Sequence, residues 1–213
     1  MSLKLYVFPP SPRAFKVLFA AHQFALDYEF CMVDLTKGGQ RTPTFLALNP
    51  NGRMPVLDDD GFLLWESNAI VEYLASRAGD GKWLPRETRD RLALTKWLYW
   101  ECNHWDPACS IFVFERLVKP FFGLGETSQA EVARAETLFH RLAPVLNGEL
   151  EKHRYVAGDA LSIADVSIGA ALCVAERVNY PLETYRAIQR WQADLRALPA
   201  WTRTVALQER RPA

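Results

Sequence analysis

Asn49-Pro50-Asn51-Gly52-Arg53-Met54-Pro55-Val56-Leu57, followed closely by Trp65-Glu66-Ser67-Asn68-Ala69-Ile70, decides the reading of this chain. The first stretch is a Pro-Asn-Gly turn that enters a strand through an X-Pro bond. The second sets an acid and a hydroxyl at the start of a helix, Ser67 to Ala78, whose Ile70, Val71 and Leu74 face inward. Between them, Pro55 to Leu57 and Phe62 to Trp65 read as two strands around the Asp-Asp-Gly turn at 59–61. Backbone groups, a cation, a carboxylate and a helix N-terminus are thus offered together.

Working towards the N-terminus, Pro43 to Leu48 reads as a short helix stopped by Asn49-Pro50, and Tyr28 to Val33 as a strand. Residues 3–8 alternate and are rich in Leu, Tyr, Val and Phe, which suits another strand. Pro12 stands where a first helical residue would, with Phe15, Leu18, Phe19 and His22 following at helical spacing. The order is βαβ, a helical connection, then ββα. A βαβ unit requires parallel strands, and a tight turn requires an antiparallel pair. Over residues 1–78 that pattern is compatible with an α/β thioredoxin-like domain.

Gly79-Asp80-Gly81 through Pro85 marks the boundary, and 79–88 is expected to be a linker. Beyond it, residues 89–213 lose strand alternation and are expected to form an all-α domain. The periodicity predicts helices at 89–118, 128–153, 162–178, 183–197 and 199–208, with breaks at Lys119-Pro120 to Gly125, Gly158, Pro181 and Pro199. Ser162-Ile163-Ala164-Asp165 is a capping box, a folding signal with no catalytic role.

Composition narrows the function. The 25 Lys+Arg balance 25 Asp+Glu, so no basic surplus points to nucleic acid. No signal peptide and no bilayer-length apolar run is read. Cys31, Cys102, Cys109 and Cys173 form no CxxC pair, and the four histidines show no metal-ligand spacing, so no metal is expected. Reduced thiols in the cytoplasm are the plain reading.

The full set resembles the glutathione site of cytosolic glutathione transferases, and the domain order resembles that family along nearly the whole chain. The resemblance implies glutathione as co-substrate. Its thiol must ionise near neutral pH, whereas an ordinary thiol has a pKa of about 8.5. Ser11 at the cap before Pro12 can donate to the sulfur, and the helix it opens adds a positive dipole end. Taken alone, Ser11 reads first as a helix cap, and the downstream motifs reverse that reading. Its interval to Val17 is similar to that between the catalytic serine and the helix valine of serine-type members, such as the theta, phi and zeta classes. A cis Met54-Pro55 bond, as the resemblance implies, would turn the Met54 backbone to pair with the peptide; the sequence leaves cis and trans open. Arg53 is placed for the glycyl carboxylate or the peptide groove. Ser67 and its amide suit the γ-glutamyl carboxylate, Glu66 the ammonium, and Asn68 assists. Gln40 and Arg41 can reach the glycine end, although Arg41 is equally a solvated charge.

The second substrate is expected to be a small hydrophobic electrophile, bound between the domains beside Pro9, Pro10 and Ser11. The segment 97–105 is unusually aromatic, and His104 and Phe112 are candidate contacts, with inter-helix packing the competing reading. The resemblance further implies a homodimer and a bacterial or theta-like enzyme of the serine kind. Peroxide or disulfide reduction, dehalogenation, and a non-catalytic binding protein on the same fold are the rival readings.

Overall fold

Strand β1 (Leu3–Val7) buries Leu3, Leu5 and Val7 and leaves Lys4 and Tyr6 half covered, the alternation a pleated strand produces. In the computed structural model, residues 3–79 and 81–208 are described. Asp80 of the expected boundary, and residues 1–2 and 209–213 of the expected domains, lie outside them. Helix α1 (Pro12–Gln23) starts with Pro12 in its first turn, after Ser11 in an extended conformation. β2 (Glu29–Met32) then runs parallel to β1, as a βαβ unit demands. α2 (Pro43–Leu48) is capped by Thr42, whose Oγ1 accepts from the Phe45 amide at 3.3 Å. β3 (Val56–Asp59) and β4 (Phe62–Trp65) form an antiparallel hairpin. Its turn places Asp60 and Gly61 at positive φ, the backbone a two-residue hairpin loop needs. α3 (Ser67–Ala78) follows and ends at a left-handed Gly79. The sheet order is β2-β1-β3-β4, with β1 antiparallel to β3.

The chain divides into two compact units, Met1–Leu84 with Ala197–Ala213, and Pro85–Arg196. The last helix, α11 (Pro199–Gln208), thus departs from the expected 89–213 domain. Aromatic packing explains this: Trp201 meets Phe15 edge-on at 4.7 Å and Phe19 at 5.4 Å, so α11 covers α1.

The second unit contains no strand among its described residues. α4 (Thr88–Trp100) is capped by the Glu87 carboxylate. A π-helical stretch (Glu101–Trp105), α5 (Asp106–Val113), a second π-helical stretch (Phe114–Val118) and α6 (Lys119–Phe122) continue it. The break expected over Lys119-Pro120 to Gly125 falls within that span, at left-handed Gly123. Pro120 lies in the first turn of α6. α7 (Gln129–Lys152) and α8 (Ile163–Gly169) come next. After α8, a 3-10 stretch (Ala170–Val174) leads to α9 (Ala175–Val178), then α10 (Arg186–Arg196). Among the described residues, no helix is long and apolar enough to cross a membrane.

Candidate active site

Sheet register brings the quoted motifs to one end of the sheet. Val56 pairs with Tyr6 on one side and with Trp65 on the other, and Val7 pairs with Met32. The loop leaving β1 towards Ser11, the entry to β3 at Met54-Pro55 and the exit from β4 at Glu66-Ser67 therefore share one end of the sheet. The chain after β2, which carries Gln40 and Arg41, leaves from that end too.

Ser11 closes a turn by donating its amide to the Phe8 carbonyl at 3.0 Å, and its own carbonyl accepts from Phe15 at 2.9 Å. It holds the N-cap position, yet its side chain makes no capping hydrogen bond. The hydroxyl is thus not committed to the helix. Pro10, beside it, is half-buried.

The Met54-Pro55 bond is cis. Ladder pairing of β3 begins at Val56, so the Met54 backbone stays outside it. Buried Asn49 organises the approach: Nδ2 donates to the Arg53 carbonyl at 2.6 Å, and Oδ1 accepts from the Asn51 amide at 3.0 Å. Arg53 itself is exposed. Gly52 is required twice, by its φ of +60° and because a Cβ there would lie 3.1 Å from the Gln40 carbonyl oxygen. The 39–41 segment is thereby packed against the turn before Met54. Gln40 Oε1 is buried without a donor among the described residues, and Arg41 is exposed.

Glu66 has φ 73° and ψ 113°, a backbone region that a non-glycine residue occupies at a cost of about 1–3 kcal/mol. Glu66, rather than Ser67, takes the cap position of α3, and its carbonyl accepts from Ile70 at 3.0 Å. Its side chain is exposed and makes no capping bond. Ser67 and Asn68 are half-buried in the first turn, and Asn68 Oδ1 accepts from Lys16 Nζ at 3.0 Å.

Three features at this end were not read from the sequence: the strained Glu66, the loop-forming Asn49 side chain, and buried Lys16. Only Lys16 left a trace. Its neighbours one helical turn on, Phe19 and Ala20, are apolar, so a cation there had to be enclosed.

In the second unit, His104 is exposed on the first π-helical stretch. Phe112 corrects an expectation. It has no accessible surface, and its ring packs edge-on against Phe139 and Tyr180 at 6.1 Å and 5.3 Å. A ring enclosed this way offers no face to a substrate. Among the described residues, no cluster of three or more His, Cys, Asp or Glu is placed to hold a metal.

A four-stranded sheet with its helices in the first unit, and helices alone among the described residues of the second, define the class: a thioredoxin-like domain joined to a helical one. Residues 1–76 match the model of the glutathione S-transferase N-terminal domain, and residues 104–205 that of the C-terminal domain. The chain is 35% identical to glutathione S-transferase 3 of Zea mays, across 96% of this chain and 93% of that one. It is 32% identical to the disulfide-bond oxidoreductase YfcG of Escherichia coli (strain K12), across 91% and 90%. The crystal structure of glutathione transferase URE2P8 from Phanerochaete chrysosporium, with oxidized glutathione, superposes with a TM-score of 0.86 at 27% identity, covering 97% of this chain and 95% of that one. The chain belongs to the glutathione S-transferase family.

Proposed function

We propose that this protein conjugates glutathione to a small hydrophobic electrophile, with Ser11 stabilising the thiolate. The observation that carries the reading is the meeting, at one sheet end, of an uncommitted Ser11 hydroxyl with cis Met54-Pro55 and the start of α3. The thiol releases its proton to solvent. The Ser11 hydroxyl then donates to the sulfur anion, a charge-assisted bond worth about 1.5–3 kcal/mol, or one to two pKa units. The thiolate attacks an electrophilic carbon, a C–S bond forms, and the leaving group departs with its electron pair.

The remaining groups hold the tripeptide so that attack becomes effectively unimolecular. Met54 pairs with its backbone, and Arg53 and Gln40 face the glycyl end. Ser67 and the α3 N-terminus take the γ-glutamyl carboxylate, with Asn68 in support, and Glu66 takes the ammonium. The buried Gln40 Oε1, without a donor among the described residues, supports this: a buried acceptor is costly unless partnered, and the glycyl amide N–H of the peptide can donate to it. Pro10 is the candidate contact for the electrophile in the first unit, and exposed His104 is a separate candidate in the second.

The serine kind, theta-like or bacterial, belongs to the same proposal, as does a cytoplasmic location. So does a homodimer. β4 lies at the sheet edge with Phe62 exposed on one face and Leu63 and Trp65 on the other, an edge a second copy would cover. Sedimentation of the wild type against Phe62→Lys tests that pairing.

Disulfide reduction is the second reading, favoured by the similarity to a disulfide-bond oxidoreductase. Product analysis separates the two. A thioether supports conjugation, glutathione disulfide supports reduction, and no product with any electrophile or disulfide despite tight glutathione binding overturns both in favour of a carrier.

A further inference from the structure

Lys16 is the one lysine recorded as buried among the described residues, 3% exposed in the second turn of α1. Its Nζ donates to Asn68 Oδ1 at 3.0 Å. Lys16 stands five residues beyond Ser11, and Asn68 immediately follows Ser67. α1 and α3 pack on each other, so this bond ties the two helices that open at the ligand end of the sheet.

An apolar side chain would fill such an enclosed position without the cost of desolvating an ammonium. A buried cation therefore calls for a task. We propose that Lys16 is a positioning residue for the γ-glutamyl carboxylate of glutathione, acting through Asn68. This inference rests on the placement of that carboxylate at the start of α3. Two effects follow from the geometry. An ammonium has only donors, so it draws the amide oxygen of Asn68 towards α1 and fixes the side-chain orientation in the first turn of α3. Its charge, little screened by water, also adds to the positive end of the α3 dipole, where the carboxylate binds. Both effects act on the carboxylate end of the peptide, so they appear in affinity and leave thiol ionisation unchanged.

The test compares glutathione with 4-aminobutyryl-cysteinyl-glycine, the same peptide lacking the α-carboxylate. Lys16→Met is expected to raise KM for glutathione about tenfold. Saturated kcat and the pKa of the bound thiol stay near wild-type values, and Lys16→Arg recovers the affinity. Against the decarboxylated peptide, Lys16→Met and wild type bind alike. Equal weakening towards both peptides, or a fall in kcat with KM unchanged, overturns the proposal. Should Lys16→Met fail to fold, Asn68→Ala carries the same comparison with the same expected selectivity. A wild type that does not prefer glutathione over the decarboxylated peptide refutes the carboxylate placement itself. A wild type that does prefer it, with variants that keep the preference, refutes Lys16 alone.

Discussion

Trp191 donates its indole Nε1–H to Asp165 Oδ1 across 2.9 Å, and neither side chain has accessible surface. The same carboxylate accepts from the Val156 amide at 2.9 Å, and from the Ser162 amide and hydroxyl at 2.9 and 2.8 Å. Ser162 in turn accepts from the Ala164 amide, completing the capping box at the start of α8. Burial pushes the Asp165 carboxyl above its ordinary range, and these donors pull against it. Asp165→Ala leaves several buried donors without an acceptor. It is expected to destabilise the fold by about 3–5 kcal/mol, measured by urea unfolding. Ser162→Ala, which removes one cap hydroxyl, is expected to cost about 1 kcal/mol. Similar small losses for both would show that the carboxylate is not the organising group.

Local chemistry made much of this legible. The Ser162–Asp165 box, Pro12 opening α1 and the 59–61 hairpin are short-range signals whose physics lies within a few residues, and each forms where the sequence places it. What the sequence leaves unread depends on distant partners. Nothing near Trp201 in sequence says that it packs on Phe15 and Phe19, so the grouping of α11 with the first compact unit has no local signal. Nothing near Phe112 announces Phe139 and Tyr180, so the enclosure of its ring has no local signal. The candidate site was legible for the same reason as the box: Ser11, Met54-Pro55 and Glu66-Ser67 are each local motifs. Sheet register, a long-range property, gathers them.

Glu66 carries a positive φ that glycine would adopt freely. If the strain is kept for its carboxylate, Glu66→Gly trades ligand for stability. The variant is expected to be more stable by up to about 1 kcal/mol, the relieved strain being partly offset by the freer unfolded chain. Glutathione binding is expected to weaken about tenfold or more in calorimetry, through loss of the ammonium partner. A variant that is both less stable and equally good at binding would remove Glu66 from the site.

His22, at the far end of α1, gives the fold an acid limit. Thr204 Oγ1 donates to the Ala200 carbonyl at 2.7 Å, so it accepts from His22 Nδ1 at 2.8 Å. That leaves His22 Nε2 to accept from the Tyr28 hydroxyl at 2.9 Å, and the ring is neutral. Burial, then the nearby Arg203 charge, pushes its pKa down to about 4, against an ordinary 6.5. The folded pKa lies below the unfolded one, so folding favours the neutral ring. This contribution is fully present above pH 6.5 and is lost as pH falls through about 4. After discounting for partial exposure it is on the order of 2 kcal/mol. The stability gap between wild type and His22→Gln should therefore shrink between pH 7 and pH 4 in parallel urea titrations. A gap that stays constant would mean that the ring's charge state does not matter to the fold.

Ser11 separates a catalytic hydroxyl from a structural one, because its side chain makes no bond to the helix it precedes. A working cap serine typically loses about 1 kcal/mol on truncation. Ser11→Ala is expected to lose no more than about 0.5 kcal/mol in thermal or urea unfolding. Activity should respond differently. Without the hydroxyl the bound thiol regains one to two pKa units, so turnover near pH 7 falls by about 10- to 100-fold. The deficit narrows as pH rises, because the thiol then ionises unaided. The measurement is the acidic limb of the kcat profile together with ultraviolet titration of the bound thiolate, both expected to move upward in pH by the same amount. An unmoved limb would assign thiol activation to the α1 dipole alone. A large stability loss with an unmoved limb would return Ser11 to the helix as a cap.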